Sequence, residues 1–250
     1  MDITVVIPTY NRYTLLKRAL ASVYRQSYLP REVIVVDDGS SDETQEIIKD
    51  FPNIKYIYQN NSGVSVARNV GILKSSSAWI AFLDDDDEWD EKKLSTQVAF
   101  HVTNPEIFMS YTAEQWIRDS KIVQIPKKYR KIGEDIFLEN LSFCNIAPSS
   151  VLIKKELLTR VGMFDEELKV CEDYDLWLRI SAFYSVGLIP EKLTIKYAGH
   201  GNQLGFAKNL DSYRMKILEK LLASVEDKSK KAQIAKELEA KKNYHGISSL

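Results

Sequence analysis

Four consecutive aspartates, Asp84 to Asp87, are the residues of this chain whose type and spacing most directly suggest chemistry. Adjacent negative charges repel one another unless water, cationic groups or a metal ion offsets the repulsion. Carboxylate oxygens are the ligands that hard divalent cations prefer, so a metal ion is a candidate partner. A short acidic run is also typical of a solvated turn or the first turn of a helix. The position of the run in the fold must decide between these interpretations.

The acid run follows the apolar segment 79–83, which predicts a buried strand. Three earlier segments also predict strands, and helical periodicity separates the four; these segments are 3–7, 33–36 and 54–58. Strands that alternate with helices predict a mostly parallel, doubly wound α/β sheet with helices on its faces.

Acidic residues lie at the carboxyl ends of two of these predicted strands, where open α/β sheets bind their ligands. Asp37 and Asp38 follow the second strand, and the acid run follows the fourth. The chain has neither a GxGxxG nor a GxxxxGK[ST] sequence, which disfavours dinucleotide and P-loop chemistry. A pyrophosphate bound at this edge would therefore need a metal ion.

The pattern changes after about residue 100. Three short segments, 107–111, 114–118 and 122–125, predict strands of a small antiparallel meander. Apolar residues at helical spacing over 209–225 predict a packing helix, and the Lys- and Glu-rich stretch 226–243 predicts a solvated helix or partly frayed tail.

Composition excludes several classes of protein. The 250 residues are 44% hydrophobic and 28% charged, as in a soluble globular protein, and 34 basic residues balance 35 acidic ones. The net charge therefore gives no reason to expect a nucleic-acid partner. Two cysteines without a CxxC motif suggest neither a zinc site nor a disulfide framework. With no signal peptide and no apolar run near the ~20 residues of a membrane span, we expect a cytoplasmic protein, at most peripheral at the inner membrane face.

The order of five motifs resembles the family 2 glycosyltransferases of the GT-A fold. The motifs are VIPTYNR over 6–12, VVDDGS over 35–40, NSGVSVARN over 61–69, FLDDDD over 82–87 and EDYDLW over 172–177. The resemblance covers about residues 3–200. It implies a Rossmann-like, mostly parallel sheet flanked by helices, in which 1–100 binds a nucleotide sugar and 101–205 forms the acceptor-binding and catalytic half. Residues 206–250 lie outside the resemblance, and their periodicity predicts a helical extension.

The resemblance also implies roles for individual residues at the donor end of the site. The residues that would bind the donor nucleotide are Pro8, Thr9, Tyr10, Arg12, Asp37, Asp38, Arg68, Asp84 and Asp85. Within the acid run, Asp85 is expected at the ribose and Asp86 at a Mn²⁺ or Mg²⁺ ion, with Asp84 able to share either role. His200 is expected near the metal or the diphosphate, with a surface loop histidine as the alternative.

For the chemical step, the resemblance assigns the general base to Asp173, with Glu172 orienting it or helping to bind. A single base opposite the leaving group implies in-line displacement with inversion at the anomeric carbon. The donor is expected to be a UDP-sugar, and the acceptor a carbohydrate, a lipid-linked sugar or a protein, in bacterial surface polysaccharide or glycoconjugate synthesis. Donor sugar, acceptor and oligomeric state stay open at this stage.

Two alternative functions were weighed against this one. A nucleotidyltransferase on a similar sheet would need a glycine-rich, basic first loop, and the segment 8–12 is neither glycine-rich nor strongly basic. A non-catalytic sugar-nucleotide-binding relative would be expected to lose a motif acid, and both Asp86 and Asp173 are present.

Overall fold

The computed structural model describes residues 1–126, 129, 131, 133, 135–197, 199 and 209–247. For residues 245–247 it describes the backbone but not the side chains. The strands are β1 (Ile3–Thr9), β2 (Glu32–Asp37), β3 (Lys55–Tyr58), β4 (Trp79–Phe82), β5 (Glu88–Trp89), β6 (Met109–Arg118), β7 (Lys121–Val123), β8 (Val151–Lys154) and β9 (Gly187–Tyr197). The helices are α1 (Tyr13–Tyr24), α2 (Ile47–Asp50), α3 (Val64–Lys74), α4 (Lys93–Thr103), α5 (Ile136–Ser142), α6 (Lys155–Val161), α7 (Glu172–Ser181), α8 (Leu210–Ser224) and α9 (Lys228–Ile247).

Within the described residues the nine strands form one mixed sheet in the order β3-β2-β1-β4-β8-β6-β9-β5, and β7 pairs with β6. Strands β1 to β4 run parallel, and every residue of β1 and β4 is buried. Runs such as ITVVI suit strands covered on both faces. The expected parallel α/β sheet with flanking helices is therefore present in the first half of the chain.

The register of this half brings the carboxyl ends of the strands to one edge of the sheet. Thr9 pairs with Asp37, and Val6 pairs with Phe82, the last residue before Leu83 and the acid run. The first loop, the two acids after β2 and the acid run consequently start from neighbouring strands. This edge positions the candidate site.

The expected three-stranded antiparallel meander does not form. Its first two segments are one strand, β6, which pairs antiparallel with β8 and parallel with β9; only the β6–β7 hairpin is the expected antiparallel pairing. The register with β9 shifts between Thr112 and Ala113, opposite Pro190, which cannot donate a ladder hydrogen bond and is tolerated at such a bulge. The sequence pattern located the residues of β6, but it did not show which distant strands pair with β6.

Helices α8 and α9 pack on the body of the protein. Ile217, Leu218 and Leu221 of α8 are buried together with Tyr174 and Leu178 of α7. In α9, Ile234 and Leu238 are buried as well, so this helix has more apolar support than its Lys- and Glu-rich sequence suggested. Among the described residues, no helix is long and apolar enough to cross a membrane.

Candidate active site

The four aspartates form a tight turn after β4, closed by a hydrogen bond from the Asp87 amide to the Asp84 carbonyl at 3.1 Å. Their side chains alternate in exposure. Asp84 and Asp86 are 23% and 14% exposed, whereas Asp85 and Asp87 are 5% and 2% exposed. The run thus divides into two partly exposed carboxylates and two buried ones. We call the region between Asp84 and the first turn of α7, which Arg68 bridges, the cleft.

Asp85 faces the first loop. Its carboxylate accepts hydrogen bonds from Thr9 Oγ1 and Arg12 Nη1, both at 2.8 Å. Burial raises the pKa of Asp85 to about 6, against the opposing charge of Arg12 and with a further contribution from Asp86. Asp85 is therefore a link between the acid run and the first loop, and its expected ribose contact stays a prediction.

Asp87 faces the opposite direction, towards the second half of the sheet. It accepts a hydrogen bond from Ser149 Oγ at 2.6 Å, and Lys196 Nζ of β9 lies 3.5 Å from the same oxygen. Burial raises the pKa of Asp87 to about 7 although Lys196 opposes this, because Asp86 and Asp84 add negative charge. Its buried contacts with Ser149 and Lys196 join the turn to β9.

The two partly exposed carboxylates are each paired with an arginine. Arg68 Nη2 lies 2.6 Å from Asp84, and Arg12 Nη1 lies 3.2 Å from Asp86. Burial disfavours ionisation of Asp84, but Arg68 and Lys196 hold the pKa of its carboxyl below the usual range. Asp84 is accordingly an anion in the folded protein.

Three cations of the protein, Arg12, Arg68 and Lys196, surround the four aspartates. Much of the repulsion that suggested a metal ion is therefore offset by the chain itself. Sequence reasoning missed Lys196, because this residue lies far along the chain in β9 and no local motif marks it. It is brought to the turn by the pairing of β5 with β9, in which Glu88 is opposite Ile195.

Arg68 connects the acid run to the first turn of α7. It is 3% exposed, and besides Asp84 it binds Glu172 through Nη1 at 2.7 Å. Its Nε atom is buried without a hydrogen-bond partner, and its guanidinium lies 5.2 Å from the ring centroid of Phe164. The geometry makes Arg68 a buried bridge between two acidic sites, while its predicted contact with a donor remains to be tested.

Glu172 and Asp173 begin α7, where the helix dipole favours carboxylates. Glu172 is buried, and burial together with Asp173 raises its pKa to about 7 despite the contact with Arg68. Arg68 thus lowers the pKa of Asp84, but it does not fully offset the rise that burial causes in the pKa of Glu172. Asp173 is partly exposed and accepts a hydrogen bond from the Tyr174 amide at 2.7 Å. Of the two acids, Asp173 is the one that is in part accessible to solvent.

The two acids at the end of β2, Asp37 and Asp38, are buried and accept hydrogen bonds from other groups of the protein. Asp37 accepts hydrogen bonds from the Ser40 amide at 2.8 Å and from the Tyr56 hydroxyl. Asp38 accepts bonds from Gln59 Nε2 at 2.7 Å and from the amides of Ser62 and Gly63 at 2.8 Å, which fixes the start of α3. Both acids shape the loops around the expected nucleoside site.

The first loop is tied to the loop after β2 by a residue that sequence reasoning had not singled out. Asn11 adopts a left-handed backbone conformation with φ 53°, which asparagine tolerates better than most residues. Its Oδ1 accepts bonds from the amides of Ser41 and Asp42 at 2.7 and 3.3 Å, and its own amide donates to Ser40 Oγ at 2.7 Å. Pro8 is buried in β1, whereas Tyr10, directly after β1, is exposed.

The donor set suits a metal ion whose coordination shell is completed by a substrate. Mg²⁺ typically takes one or two protein carboxylates together with substrate phosphates and water, and Asp84 and Asp86 supply two partly exposed carboxylates. The described part of the chain contains no group of three or more His, Cys, Asp or Glu side chains placed to hold a metal by themselves. His200, the other expected ligand, lies outside the described residues.

Comparison with known proteins decides the family. The model of the family "Glycosyl transferase family 2" matches residues 4–161. The chain belongs to this family. An uncharacterized glycosyltransferase of Rickettsia bellii is 34% identical over 195 residues, which are 77% of this chain and 28% of that protein. The chain spans about a third of the length of the first curated relatives that it matches.

Family 2 members with more specific names are also similar. WfgD of Escherichia coli, named as a UDP-Glc:α-D-GlcNAc-diphosphoundecaprenol β-1,3-glucosyltransferase, is 32% identical over 181 residues, 71% of this chain and 69% of WfgD. The crystal structure of S. aureus TarS 1–349 in complex with UDP-GlcNAc superposes with a TM-score of 0.77 at 20% identity, over 98% of this chain and 72% of that one. At that identity the likeness establishes the fold. The expected GT-A fold and the expected glycosyltransferase family are both confirmed.

Proposed function

We propose that this member of glycosyl transferase family 2 moves a sugar from a nucleotide-diphosphate sugar to an acceptor hydroxyl, with inversion at the anomeric carbon. The observation that carries the proposal is the bridge Asp84–Arg68–Glu172. The bridge holds the turn of four aspartates opposite the first turn of α7, which carries Asp173. The aspartate turn suits a donor diphosphate together with its cation. A leaving-group site and a base on facing walls are what an in-line displacement needs.

On the donor side, the chain supplies Asp86 and Asp84 for a divalent cation. When bound there, Mn²⁺ or Mg²⁺ would offset the negative charge that develops on the leaving nucleoside diphosphate. Arg12 and Lys196 lie at the same turn and keep the field around a diphosphate from being wholly negative. The names of WfgD and of the TarS complex support a UDP-sugar as the donor of this chain.

On the acceptor side, Asp173 takes the proton of the attacking hydroxyl. The acceptor oxygen forms the new bond to the anomeric carbon while the bond from that carbon to the diphosphate oxygen breaks. The electron pair of that bond leaves with the nucleoside diphosphate, so no acid is needed for the leaving group. A correctly placed general base contributes about 10²- to 10⁴-fold to a rate. Glu172, held by Arg68, positions the helix turn that carries Asp173.

The biological acceptor that we propose is a sugar of a surface polysaccharide or glycoconjugate under assembly. WfgD is named for an acceptor on a diphosphoundecaprenol carrier, which supports this class. Such an acceptor would bring the protein to a membrane surface as a peripheral partner, an association that the sequence leaves open.

The proposal is tested first by donor binding. Purified protein is heated with UDP-Glc, UDP-GlcNAc or GDP-Man, each with Mn²⁺ or with EDTA. A donor at 100 times its Kd should raise the free energy of unfolding by about 2.7 kcal/mol. We expect this shift for a UDP-sugar in Mn²⁺ and a smaller shift in EDTA.

Asp86→Asn tests whether the acid run binds the donor and its metal ion, rather than affecting binding through the net charge of the protein. We expect about tenfold or greater loss of donor affinity together with loss of the response to Mn²⁺, because one of two candidate ligands is removed. The control is Asp50→Asn, which removes a carboxylate paired with Lys17 on the surface and should leave donor binding unchanged. A protein that binds and hydrolyses no nucleotide sugar, or that makes one from a sugar 1-phosphate and UTP, would overturn the proposal.

A further inference from the structure

Arg18 of α1 binds the main chain of the acid run. Its Nη2 atom donates to the carbonyl oxygen of Asp86 at 2.8 Å. Because the donor is a guanidinium, this is a charge-assisted hydrogen bond, which is stronger than a bond between two neutral groups. Sequence reasoning assigned no role to Arg18, because this residue lies on a helix outside the five motifs.

Two neighbours hold the guanidinium of Arg18 in place. Its central carbon lies 3.7 Å from the ring centroid of Tyr197, at the end of β9, and a planar guanidinium packs well on an aromatic face. Arg18 Nε lies 3.1 Å from Glu88 Oε1, which also accepts a hydrogen bond from the Tyr197 hydroxyl at 2.5 Å. Burial and the bond to Glu88 raise the pKa of Tyr197 to about 12, so the phenol keeps its proton. We call Arg18, Glu88 and Tyr197 the arginine clamp.

Asp86 is fixed in a different way from the two buried aspartates beside it. The carboxylates of Asp85 and Asp87 are buried and accept hydrogen bonds inside the protein. The carboxylate of Asp86 is partly exposed, whereas its main-chain carbonyl is bound by Arg18. A planar peptide group leaves only two soft torsions per residue. A carbonyl that is held in place therefore restricts the direction in which the Asp86 side chain leaves the turn.

The contact with Arg18 is compatible with a cation on Asp86. Arg12 lies 3.2 Å from Asp86 Oδ2, so Arg12 and a cation would compete for the same carboxylate. Arg18 binds the carbonyl instead, and its bond leaves both carboxylate oxygens available. The ion pair with Glu88 offsets the charge of Arg18, which reduces its repulsion of a cation nearby. A hydrogen-bond donor of this kind suits the orientation of a metal ligand from the protein side.

We propose that Arg18 is a positioning residue for the cation site, which holds the main chain of Asp86 and so sets the direction of the carboxylate that binds the cation. This inference rests on the proposed use of a divalent cation with a nucleotide donor. Arg18 acts through Asp86 rather than through contact with the cation. The arginine clamp keeps its guanidinium directed at the Asp86 carbonyl.

The test measures the response to Mn²⁺ separately from nucleotide affinity. The Kd for UDP is determined by isothermal titration calorimetry in EDTA and at increasing Mn²⁺, which gives the Mn²⁺ concentration at half of its effect. Arg18→Met should raise this concentration about tenfold or more, as is typical when an orienting partner of a metal ligand is removed. The Kd for UDP in EDTA should not change.

The direction of the change separates positioning from charge. Arg18→Met removes a positive charge close to a cation site, and by Coulomb's law alone this would strengthen Mn²⁺ binding. Weaker binding therefore indicates the loss of positioning. Arg18→Lys should fall between the wild type and Arg18→Met, since an ammonium can still donate to the carbonyl but has no planar group to pack on Tyr197.

Arg25→Met is the matched control. Among the described residues, Arg25 pairs with Glu88 at 3.5 Å and not with the acid run, and its side chain is 60% exposed. Its loss should change neither the response to Mn²⁺ nor the Kd for UDP. Glu88→Gln serves if the Arg18→Met protein does not fold. It loosens the arginine clamp and leaves the charge of Arg18 without its partner, so it should also weaken Mn²⁺ binding.

The inference is overturned if folded Arg18→Met, or Glu88→Gln in its place, responds to Mn²⁺ at the same concentration as the wild type or at a lower one. It is also overturned if Arg18→Met raises the Kd for UDP in EDTA as much as it raises the Mn²⁺ concentration, because Arg18 would then support the donor site as a whole. A wild-type protein whose UDP affinity does not respond to Mn²⁺ gives a different result, since it removes the proposed cation site itself and the role of Arg18 with it.

Discussion

The two walls of the cleft are built by different kinds of contact. The donor wall comes from neighbouring parallel strands, β1, β2 and β4, whose ends carry the acids that the motifs mark. The opposite wall is the first turn of α7 with Glu172 and Asp173, which is held to the donor wall by a contact between Arg68 and Glu172, 104 positions apart in the chain. Only Arg68, paired with Asp84 and with Glu172, joins the acidic turn directly to α7 among the ion pairs of the described residues. Both walls depend on contacts between distant segments, since Thr9 and Asp85 of the donor wall are 76 positions apart. The donor wall differs in that motifs at the ends of its strands mark its acids.

Asp173→Asn should produce the largest effect and separates the two walls functionally. Removing the base should lower kcat by about 10³-fold, within the range for general base catalysis. Donor affinity should stay within about twofold, because the acidic turn is untouched. Initial rates of nucleoside diphosphate release with acceptor, together with the donor Kd, check this.

The matched control for that variant is Asp165→Asn, which removes a partly exposed carboxylate paired with Lys220 away from the cleft. Its kcat should match that of the wild type. If Asp173→Asn weakens donor binding as much as it slows transfer, the two walls do not have separate roles.

Arg68→Met should produce the next largest effect, on stability. The change leaves Asp84 and Glu172 without their shared cation, and breaking a buried ion pair from one side costs about 3–5 kcal/mol. Urea unfolding monitored by tryptophan fluorescence gives the free energy of unfolding. Arg160→Met is the control, because its ion pair with Glu156 is exposed on α6 and its loss should have little effect.

Equal stability losses in Arg68→Met and Arg160→Met would show that the bridge between the walls contributes no more than a surface pair. A large loss confined to Arg68→Met would show that the bridge holds the walls together.

Glu172→Gln should produce a smaller effect that depends on pH. Because burial raises the pKa of Glu172 to about 7, the folded protein keeps a proton that the unfolded chain loses near pH 4.5. The stability that this group contributes is present below pH 4.5 and is lost as the pH rises through 7. Relative to the wild type, Glu172→Gln should therefore gain on the order of 2 kcal/mol between pH 5 and pH 8.

Urea unfolding of both proteins at pH 5 and pH 8 measures this difference. If the relative stability of Glu172→Gln stays the same at pH 5 and pH 8, Glu172 is ionised in the folded protein at both pH values, and a raised pKa for Glu172 is wrong.

Sequence reasoning succeeded where a residue acts through its neighbours in the chain. Continuous apolar runs located β1, β2 and β4, and the position of Asp84 after β4 placed the acid run at the carboxyl ends of the parallel strands. The helix that starts at Glu172 was also expected, since carboxylates suit a helix N-terminus.

Sequence reasoning was weaker where the role of a residue depends on contacts between distant segments of the chain. The alternation of exposure within the acid run could not be read from four identical residues, because it is set by Thr9, Ser149 and the arginines. Lys196 carries no motif, and its position follows from the pairing of β9 with β5 and β6. Lys131 also carries no motif, and its ion pair with Glu114 joins segments that are 17 positions apart.

Asn11 fixes the geometry of the donor wall before any ligand arrives. Its side chain and amide hold the loop after β2 against the loop after β1 through three hydrogen bonds. The conformational entropy of these two loops is thus lost when the protein folds rather than when a nucleoside binds. Binding to such a preorganised pair of loops retains more of its contact energy as affinity. A single asparagine in a left-handed conformation therefore makes recognition of the donor less costly at the binding step.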